Sequence, residues 1–246
     1  MRDEFGRIID YVRVSITDRC NLRCVYCMPE AGVEKLEHRD ILSYEEILRI
    51  CRVFAALGIV KIKVTGGEPL VRKGALDFVR DLKALHGINC VTLTTNGLLL
   101  ADRAEELSQS GLDGINISLD TLNPAAYRQM TRLGDVEQAL SGLAAAVKSG
   151  VPVKVNCVPM AEFNEQDLAA VASLAKTLPI QVRFIELMPV GLGADYVGIS
   201  NKTVLALLEK SYGKASSFTG DLGNGPARYV SFPGFAGKIG FISALG

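Results

Sequence analysis

The sequence lacks an excess of charge, a long apolar run and a signal peptide. Lys plus Arg and Asp plus Glu both number 27, so net charge gives no case for a nucleic-acid or membrane partner. No apolar run reaches the roughly 18 residues that span a bilayer, and the start, MRDEFG, has no apolar signal core. These absences favour a cytoplasmic protein, in which thiols stay reduced.

A regular alternation of strands and helices is predicted over most of the chain. Its 246 residues are 48% hydrophobic and 22% charged, which is typical of a compact globular protein. The alternation predicts a parallel sheet, in an open doubly wound fold or a barrel. No GxGxxG motif follows the first strand, which weakens the dinucleotide-binding option. The predicted strands are 11–17, 61–67, 90–96, 114–120, 153–158 and 181–188, and the helices 44–57, 73–85, 100–109, 135–149 and 164–177.

The pattern changes after about residue 190. A Gly-rich turn leads to a helix near 201–211, and two antiparallel strands are predicted at 228–232 and 238–244. We interpret residues 1–190 as a core domain and residues 191–246 as the start of a small α+β appendage that leans on the sheet.

Three cysteines stand within eight residues directly after the first strand: Cys20, Cys24 and Cys27. Thiols this close together form a disulfide, bind zinc, hold an iron–sulfur cluster or simply lie in a core. A disulfide uses two, and structural zinc normally takes four ligands. Three thiolates suit a cubane cluster with one iron left for another ligand. Spacing alone favours the cluster and leaves zinc open. The scattered Cys51, Cys90 and Cys157 are predicted to be small apolar residues of the core.

Four predicted strands interrupt their apolar runs with a basic residue, namely Arg13, Lys63, Lys154 and Arg183. A charge buried against helices is costly unless it is paired. These residues therefore indicate a strand face that looks into a polar lumen, where four cations would bind a triphosphate or a carboxylate. The alternative is that each cation pairs with an acid such as Asp120 or Glu186. Strand six departs from the pattern, since Arg183 is out of phase with Glu186, which predicts a bulge or opposite facings.

The second strand ends in the segment TGGEP, residues 65–69. Glycines at the carboxyl end of a barrel strand let a ligand approach the backbone. Alone, this motif is also typical of a simple turn. It gains weight because the cysteine loop leaves the same end of the neighbouring strand.

Together these motifs resemble those of the radical S-adenosylmethionine (SAM) superfamily. The CxxxCxxC loop with Tyr26 before its last cysteine is similar to the cluster loop of that superfamily, and TGGEP to its motif for the methionine amino group. A closer resemblance is to the GTP 3′,8-cyclase family of molybdenum cofactor biosynthesis. It is carried by RVSITDRCNLRCVYCMPE, IKVTGGEPLVR, LTTNGLLL, INISLDTL, VKVNCV and RFIELMPVG. The resemblance implies a partial (β/α)6 barrel of the TIM type.

The resemblance also implies cofactors, an activity and site residues. A [4Fe–4S] cluster would cleave SAM reductively, and the 5′-deoxyadenosyl radical would abstract the ribose 3′ hydrogen of GTP, after which C3′ bonds to C8. Lys63 stands where the family commonly has arginine, which keeps the charge but loses the planar fork. The implied residues are Cys20, Cys24 and Cys27 for the cluster, Tyr26, Gly67, Ser118 and Met188 for SAM, and Arg13, Lys63, Thr94, Lys154 and Arg183 for GTP.

One family feature is missing from the sequence. The family carries a second cysteine triplet for a guanine-binding [4Fe–4S] cluster, whereas no cysteine follows Cys157. We interpret the chain as a fragment that stops before this triplet, in preference to a degenerate relative. The alternative functions are a radical SAM paralogue with another substrate and an inactive iron–sulfur protein.

Several partners follow from the resemblance. They are GTP, a low-potential electron donor such as flavodoxin or ferredoxin, and cyclic pyranopterin monophosphate synthase as the next enzyme. A homodimer is a further candidate.

Overall fold

The computed structural model describes residues 2–34, 36–220, 222–223 and 225–244. Over these ranges the strands are β1 (Tyr11–Ser15), β2 (Lys61–Thr65), β3 (Cys90–Thr95), β4 (Gly114–Ser118), β5 (Val153–Cys157), β6 (Gln181–Ile185), β7 (Ser216–Phe218), β8 (Arg228–Ser231) and β9 (Lys238–Ile242). The helices are α1 (Tyr44–Ala56), α2 (Ala75–Lys83), α3 (Ala104–Ser108), α4 (Pro124–Thr131), α5 (Val136–Lys148), α6 (Leu168–Thr177) and α7 (Asn201–Tyr212). None of the helices in the described ranges is long and apolar enough to cross a bilayer.

Contacts between Cα atoms divide the chain into two compact units, and β4 and α5 contribute residues to both. The first unit comprises Met1–Asn21, Val33–Asn116 and Leu140–Pro152. In it β1, β2 and β3 are parallel neighbours, as the βα alternation predicts. Its core contains the apolar residues of β2 and β3 together with the inward face of α2, for example Val64, Leu93 and Phe78.

The second unit comprises Leu22–Gly32, Ile117–Ala139 and Val153–Gly246. Its strands β5, β6 and β9 are parallel neighbours, and β8 and β7 continue the sheet in antiparallel pairing. The antiparallel pair predicted at 228–232 and 238–244 is confirmed by β8 and β9. β9 is also hydrogen-bonded to β6, because the connection through α7 is long enough to return the chain in parallel. The boundary at residue 190 stays a prediction, and residues 221, 224, 245 and 246 of the appendage lie outside the described ranges.

Three strands, β2, β3 and β5, show the polar face that their alternation predicts, whereas the three central residues of β4 and of β6 are all buried. In β2, β3 and β5 every second residue is buried, and the residues between them are only half-buried. The buried set is apolar except for Thr95, and the half-buried set includes Lys63, Thr94, Lys154 and Asn156. One face of each strand therefore packs in the core while the other carries polar groups.

Three predicted bounds are wrong by three residues or more, and one helix is missing from the prediction. β6 ends at Ile185, so Glu186 lies beyond the strand and neither a bulge nor opposite facings are needed. The helices predicted to start at 100 and 164 each begin with a short 3₁₀ turn, and their α-helical parts start at Ala104 and Leu168. The missing helix is α4. Its start has a recognisable signal, because Asn123 caps it and proline occupies its first position.

The first unit allows a test of its packing at Gly142 of α5. A Cβ atom there would lie 2.0 Å from the carbonyl oxygen of Gly97, just after β3. We expect Gly142→Ala to lower the free energy of unfolding by about 2 kcal/mol, since overpacking outweighs the helix propensity gained. Urea unfolding of the metal-free chain measures this. The matched variant Ser141→Ala, at an exposed position of the same helix, should be neutral, and equal stability of the two variants would contradict the packing.

Candidate functional site

The first part of the cysteine loop runs against the TGGEP segment. Within the first unit, the amide of Gly67 donates to the carbonyl of Thr17 (2.7 Å), and that of Glu68 to the carbonyl of Arg19 (2.8 Å). A Cβ atom on Gly67 would lie only 2.4 Å from the Arg19 carbonyl oxygen. Only glycine permits this approach. The proximity of the two motifs, expected from their positions at the ends of neighbouring strands, is confirmed.

Glu68 fixes the TGGEP segment through hydrogen bonds of its buried side chain. Its carboxylate is buried and accepts hydrogen bonds from the hydroxyl of Thr95 (2.8 Å) and the amides of Asn96 (2.7 Å) and Leu70 (3.0 Å). Burial raises the pKa of Glu68, and these hydrogen bonds oppose the rise. The Asn96 side chain in turn donates to Asn21 Oδ1 in the cysteine loop (2.7 Å). Glu68 therefore connects β3, TGGEP and the loop.

The second part of the loop belongs to the second unit and is held by the end of α4. The amides of Arg23 and Val25 donate to the carbonyls of Thr131 (3.0 Å) and Met130 (2.9 Å). These carbonyls are at the helix C-terminus, where carbonyls have no intrahelical partner. The amide of Cys27 donates to the carbonyl of Cys24 (2.9 Å), which closes one turn between the two cysteines.

Apolar packing and the buried carboxyl of Asp120 anchor the same loop. Val25 lies in a buried cluster with Met130 and Met160. The next residue, Tyr26, donates its hydroxyl to Asp120 Oδ2 (2.7 Å), and Asp120 also accepts the Val158 amide (2.8 Å). Burial raises the pKa of Asp120 to about 6, despite these two hydrogen bonds. Burial, and then the Asp120 charge, raise the pKa of Tyr26 well above its usual value.

The three loop cysteines are all accessible, and none of the six cysteines forms a disulfide. Cys20 and Cys24 are half-buried and Cys27 is exposed, although partial burial still raises the pKa of its thiol. In the described part of the chain no three His, Cys, Asp or Glu side chains converge as the ligands of a single metal ion do. In a [4Fe–4S] cluster each thiolate binds a different iron, so its ligands need not converge on one point. Three accessible thiols on one braced loop fit that donor set.

The other three cysteines lie apart from the loop. Cys51 is buried in α1, Cys157 is buried in β5, and Cys90 is half-buried at the start of β3. Their scatter is as predicted. The Cys157 thiol donates to the backbone carbonyl of Asp120 (3.3 Å), and burial raises its pKa well above the usual value, so it is a core thiol.

Arg13, Lys63 and Thr92 form a cross-strand row in the first unit. Arg13 is opposite Lys63, and Lys63 is opposite Thr92, in the parallel pairing of β1, β2 and β3. Parallel partners share a face, so this row presents two cations together. Lys63 Nζ lies 5.7 Å from the centroid of the Tyr11 ring, a cation–π distance. Thr94 is two residues further along β3 on the same face.

The second unit has a corresponding row around Arg183. Asn156, Arg183, Gly240 and Tyr229 are successive cross-strand partners. Arg183 is buried, and its Nε donates to Asn156 Oδ1 (2.9 Å). A Cβ atom on Gly240 would lie 2.7 Å from the Tyr229 ring and 2.9 Å from Arg183 Cγ. Burial raises the pKa of Tyr229, and the Arg183 charge and hydrogen bond oppose this. Gly240 thus makes room for an arginine held between an amide and a phenol.

The acids named as alternative partners for the strand cations are engaged by other groups. Asp120 accepts from Tyr26 and Val158, as above. Glu186 accepts from the amides of Asn201 at the start of α7 (2.8 Å) and Ala244 (3.2 Å). Lys154 Nζ donates to the carbonyl of Leu222.

Two of the SAM positions implied by the resemblance lie at or beyond the ends of strands in the second unit. Ser118 is half-buried at the end of β4, and Met188 is 53% exposed beyond β6. Sequence reasoning gave no role to Tyr229 or Asn21, whose partners are remote in the sequence. For Tyr229 the usable signal is its place in the strand predicted at 228–232.

The raised pKa of Asp120 gives a pH-dependent prediction. A carboxyl whose pKa rises from 3.8 to about 6 on folding stabilises the fold fully below pH 4 and loses this contribution as pH rises through 6. Relative to Asp120→Asn, the wild-type free energy of unfolding should fall by about 2.5 kcal/mol between pH 4 and 7. Urea unfolding of the metal-free chains measures the difference. A constant difference across this range, or the same trend with exposed Asp102→Asn, would contradict the assignment to burial.

Comparisons with known proteins agree with the motifs. The profile of the Radical SAM superfamily matches residues 14–175. Curated relatives named GTP 3′,8-cyclase include those of Clostridium perfringens, 42% identical over 245 residues, and Heliobacterium modesticaldum, 47% identical over 251 residues. Each alignment covers 100% of this chain and 76% of the relative.

Solved structures show the same fold at low identity. SuiB of Streptococcus suis bound to S-adenosylmethionine has a TM-score of 0.66 at 16% identity, covering 82% of this chain and 46% of SuiB. The structure of anSMEcpe with bound AdoMet has a TM-score of 0.61 at 18% identity, covering 82% of this chain and 59% of that one. The parallel sheet and its antiparallel C-terminal strands are thus those of the radical SAM partial barrel. The chain belongs to the radical SAM superfamily, whose cofactors are a [4Fe–4S] cluster and SAM, and within it to the GTP 3′,8-cyclase family.

Proposed function

We propose that the chain is a GTP 3′,8-cyclase, a lyase that converts GTP to (8S)-3′,8-cyclo-7,8-dihydroguanosine 5′-triphosphate in the first step of molybdopterin biosynthesis. The observation that carries this proposal is identity of 42% and 47% to proteins of that name over the whole chain. When bound, the cluster and SAM would supply the radical chemistry of the reaction, with Cys20, Cys24 and Cys27 holding the cluster.

Cys20, Cys24 and Cys27 are the cluster ligands in this proposal. Their support is chemical, since they are three accessible thiols on one loop whose backbone is hydrogen-bonded on both sides. Three protein ligands leave one iron for SAM. The loop has to release protons on loading, because thiolates rather than thiols bind iron.

Tyr26, Gly67, Ser118 and Met188 are proposed to contact SAM. Gly67 is exposed and lacks a side chain, so its backbone is open to a ligand beside the cysteine loop. Tyr26 is fixed through Asp120, which makes its backbone a stable contact. Met188 is exposed and apolar, as a residue covering a nucleoside would be.

Arg13, Lys63, Thr94, Lys154 and Arg183 are proposed to bind GTP. The triphosphate is strongly anionic, and the strand faces of both units present basic groups rather than carboxylates. Arg183 is the most constrained of them, because Asn156 and Tyr229 both hold its side chain. A held guanidinium loses little entropy when it binds phosphate.

A second candidate is a radical SAM enzyme with another substrate. It is favoured by one observation, that Lys63 stands where the GTP 3′,8-cyclase family commonly has arginine. GTP-dependent product formation distinguishes the two candidates. We further propose a cytoplasmic enzyme that takes electrons from flavodoxin or ferredoxin, passes product to cyclic pyranopterin monophosphate synthase and forms a homodimer.

The cluster assignment is tested at Cys24. After anaerobic reconstitution the wild type should hold about four irons per chain and form 5′-deoxyadenosine from SAM with dithionite. Cys24→Ala should lose both, because one ligand is gone, whereas Cys90→Ala should keep both. Iron analysis and chromatography provide the readouts. SAM cleavage by Cys24→Ala at the wild-type rate would refute the assignment.

The GTP assignment is tested at Arg183. Removing a charged hydrogen-bonding group costs about 1.5–3 kcal/mol, so Arg183→Ala should weaken GTP binding about 10- to 100-fold. Arg183→Lys, which keeps the charge, should lose less. Calorimetry with the reconstituted chain gives the dissociation constants, and the exposed Arg228→Ala on β8 is the control. Unchanged affinity in both Arg183 variants, or equal loss in Arg228→Ala, would refute the role.

A further inference from the structure

Arg132, the residue that ends α4, has a strained backbone. Its φ of 63° and ψ of −37° make it the one non-glycine residue with positive φ in the described part of the chain. Such a conformation is energetically unfavourable and persists where the surroundings impose it. A lone strained residue next to a functional loop therefore needs a compensating interaction.

The compensating interaction is with the cysteine loop. Arg132 Nη1 donates to the carbonyl of Arg23 (3.0 Å) and to that of Met28 (2.9 Å). These two carbonyls bracket Cys24 and Cys27 in the sequence. One guanidinium thus ties the two ends of the turn that carries both cysteines. Hydrogen bonds from a charged donor are stronger than neutral ones.

The preceding residues of α4 hold the same turn through the backbone. The carbonyls of Met130 and Thr131 accept the amides of Val25 and Arg23. The C-terminal end of a helix carries partial negative charge, which a nearby guanidinium offsets. The backward turn at Arg132 allows the side chain and the last carbonyls of one helix to contact one loop together.

The charge of Arg132 is not neutralised by a carboxylate. None of the ion pairs found among the described residues includes it. Its hydrogen bonds go to the neutral carbonyls of Arg23 and Met28, so a positive charge remains at the base of the turn. The reduction potential of an iron–sulfur cluster depends on the charges and hydrogen bonds around it.

We propose that Arg132 is a positioning residue for the cluster, which fixes the Cys24–Cys27 turn and raises the potential at which the cluster accepts its electron. This inference rests on the proposed function only in requiring a cluster on this loop. It does not depend on the substrate. The strained backbone is retained because relaxing it would withdraw the guanidinium from the loop.

Matched variants separate the guanidinium from the backbone. Arg132→Gly relieves the φ strain but removes the guanidinium, so the metal-free chain should unfold at nearly the wild-type urea concentration. Arg132→Lys keeps the charge and loses the two-carbonyl contact. Arg128→Gln is the control, because Arg128 lies on the same helix but donates to Leu133 and Gly134, outside the loop.

The experiment is an anaerobic redox titration of each reconstituted chain without GTP, followed by iron release to a chelator. Arg132→Gly should show an about tenfold lower ratio of reduced to oxidised cluster at fixed potential, equivalent to 59 mV for one electron, and faster iron release. Arg132→Lys should recover most of the potential but not the release rate. If Arg132→Gly is the one variant that loads no cluster while its fold stays intact, that result also supports the proposal.

The opposing outcomes are distinct. A wild-type potential and release rate in Arg132→Gly overturns the inference and leaves the proposed function standing. The same shift in Arg128→Gln overturns it as well, because the effect would then belong to helix charge in general. A wild-type chain that loads no cluster overturns both proposals.

Discussion

The loop that carries the three cysteines has little regular structure, so its backbone must find hydrogen-bond partners elsewhere. It finds them at the Gly67–Glu68 backbone in the first unit and, in the second, at the last carbonyls of α4 and the Arg132 guanidinium. The approach at Gly67 leaves no room for a Cβ atom. The cysteines are accessible on a loop whose path is fixed, which is what a three-ligand cluster requires.

The strands provide a second constraint, on charge. Alternation places basic residues on the less buried face of β2 and β5, where solvation and neighbouring polar groups reduce the cost of the charge. Arg183 is the exception because it is buried. Asn156 and Tyr229 hold it, and the missing side chain of Gly240 makes the space. The neighbouring strands thus fix the position of this guanidinium.

Much of this organisation could be predicted from the sequence because its signals are local. Strand alternation, the βα order, the cysteine spacing and TGGEP each occupy a short stretch, and the structure places the last two side by side. The predicted end of β6 is wrong because Leu187 and Met188 continue the apolar pattern beyond Ile185. In the structure Glu186 lies after the strand and accepts the Asn201 and Ala244 amides. No helix is predicted from the sequence at α4, although Asn123 provides a cap signal there.

The undetected features depend on contacts between remote residues. Arg132 contacts carbonyls that lie 109 and 104 residues away, and no local pattern indicates its positive φ. Asp120, whose pKa is raised by burial, accepts hydrogen bonds from a tyrosine 94 residues away and from the Val158 amide just after β5. Such residues become visible only when the fold brings the loop, α4 and the strand ends together.

The central claim is that the loop holds a [4Fe–4S] cluster whose fourth iron binds SAM. Its most direct test is the electron paramagnetic resonance spectrum of the reconstituted, dithionite-reduced chain, recorded before and after SAM is added. The account predicts the signal of a one-electron-reduced cluster that changes its g values with SAM. A chain with no such signal, or with a signal identical in both samples, would contradict it.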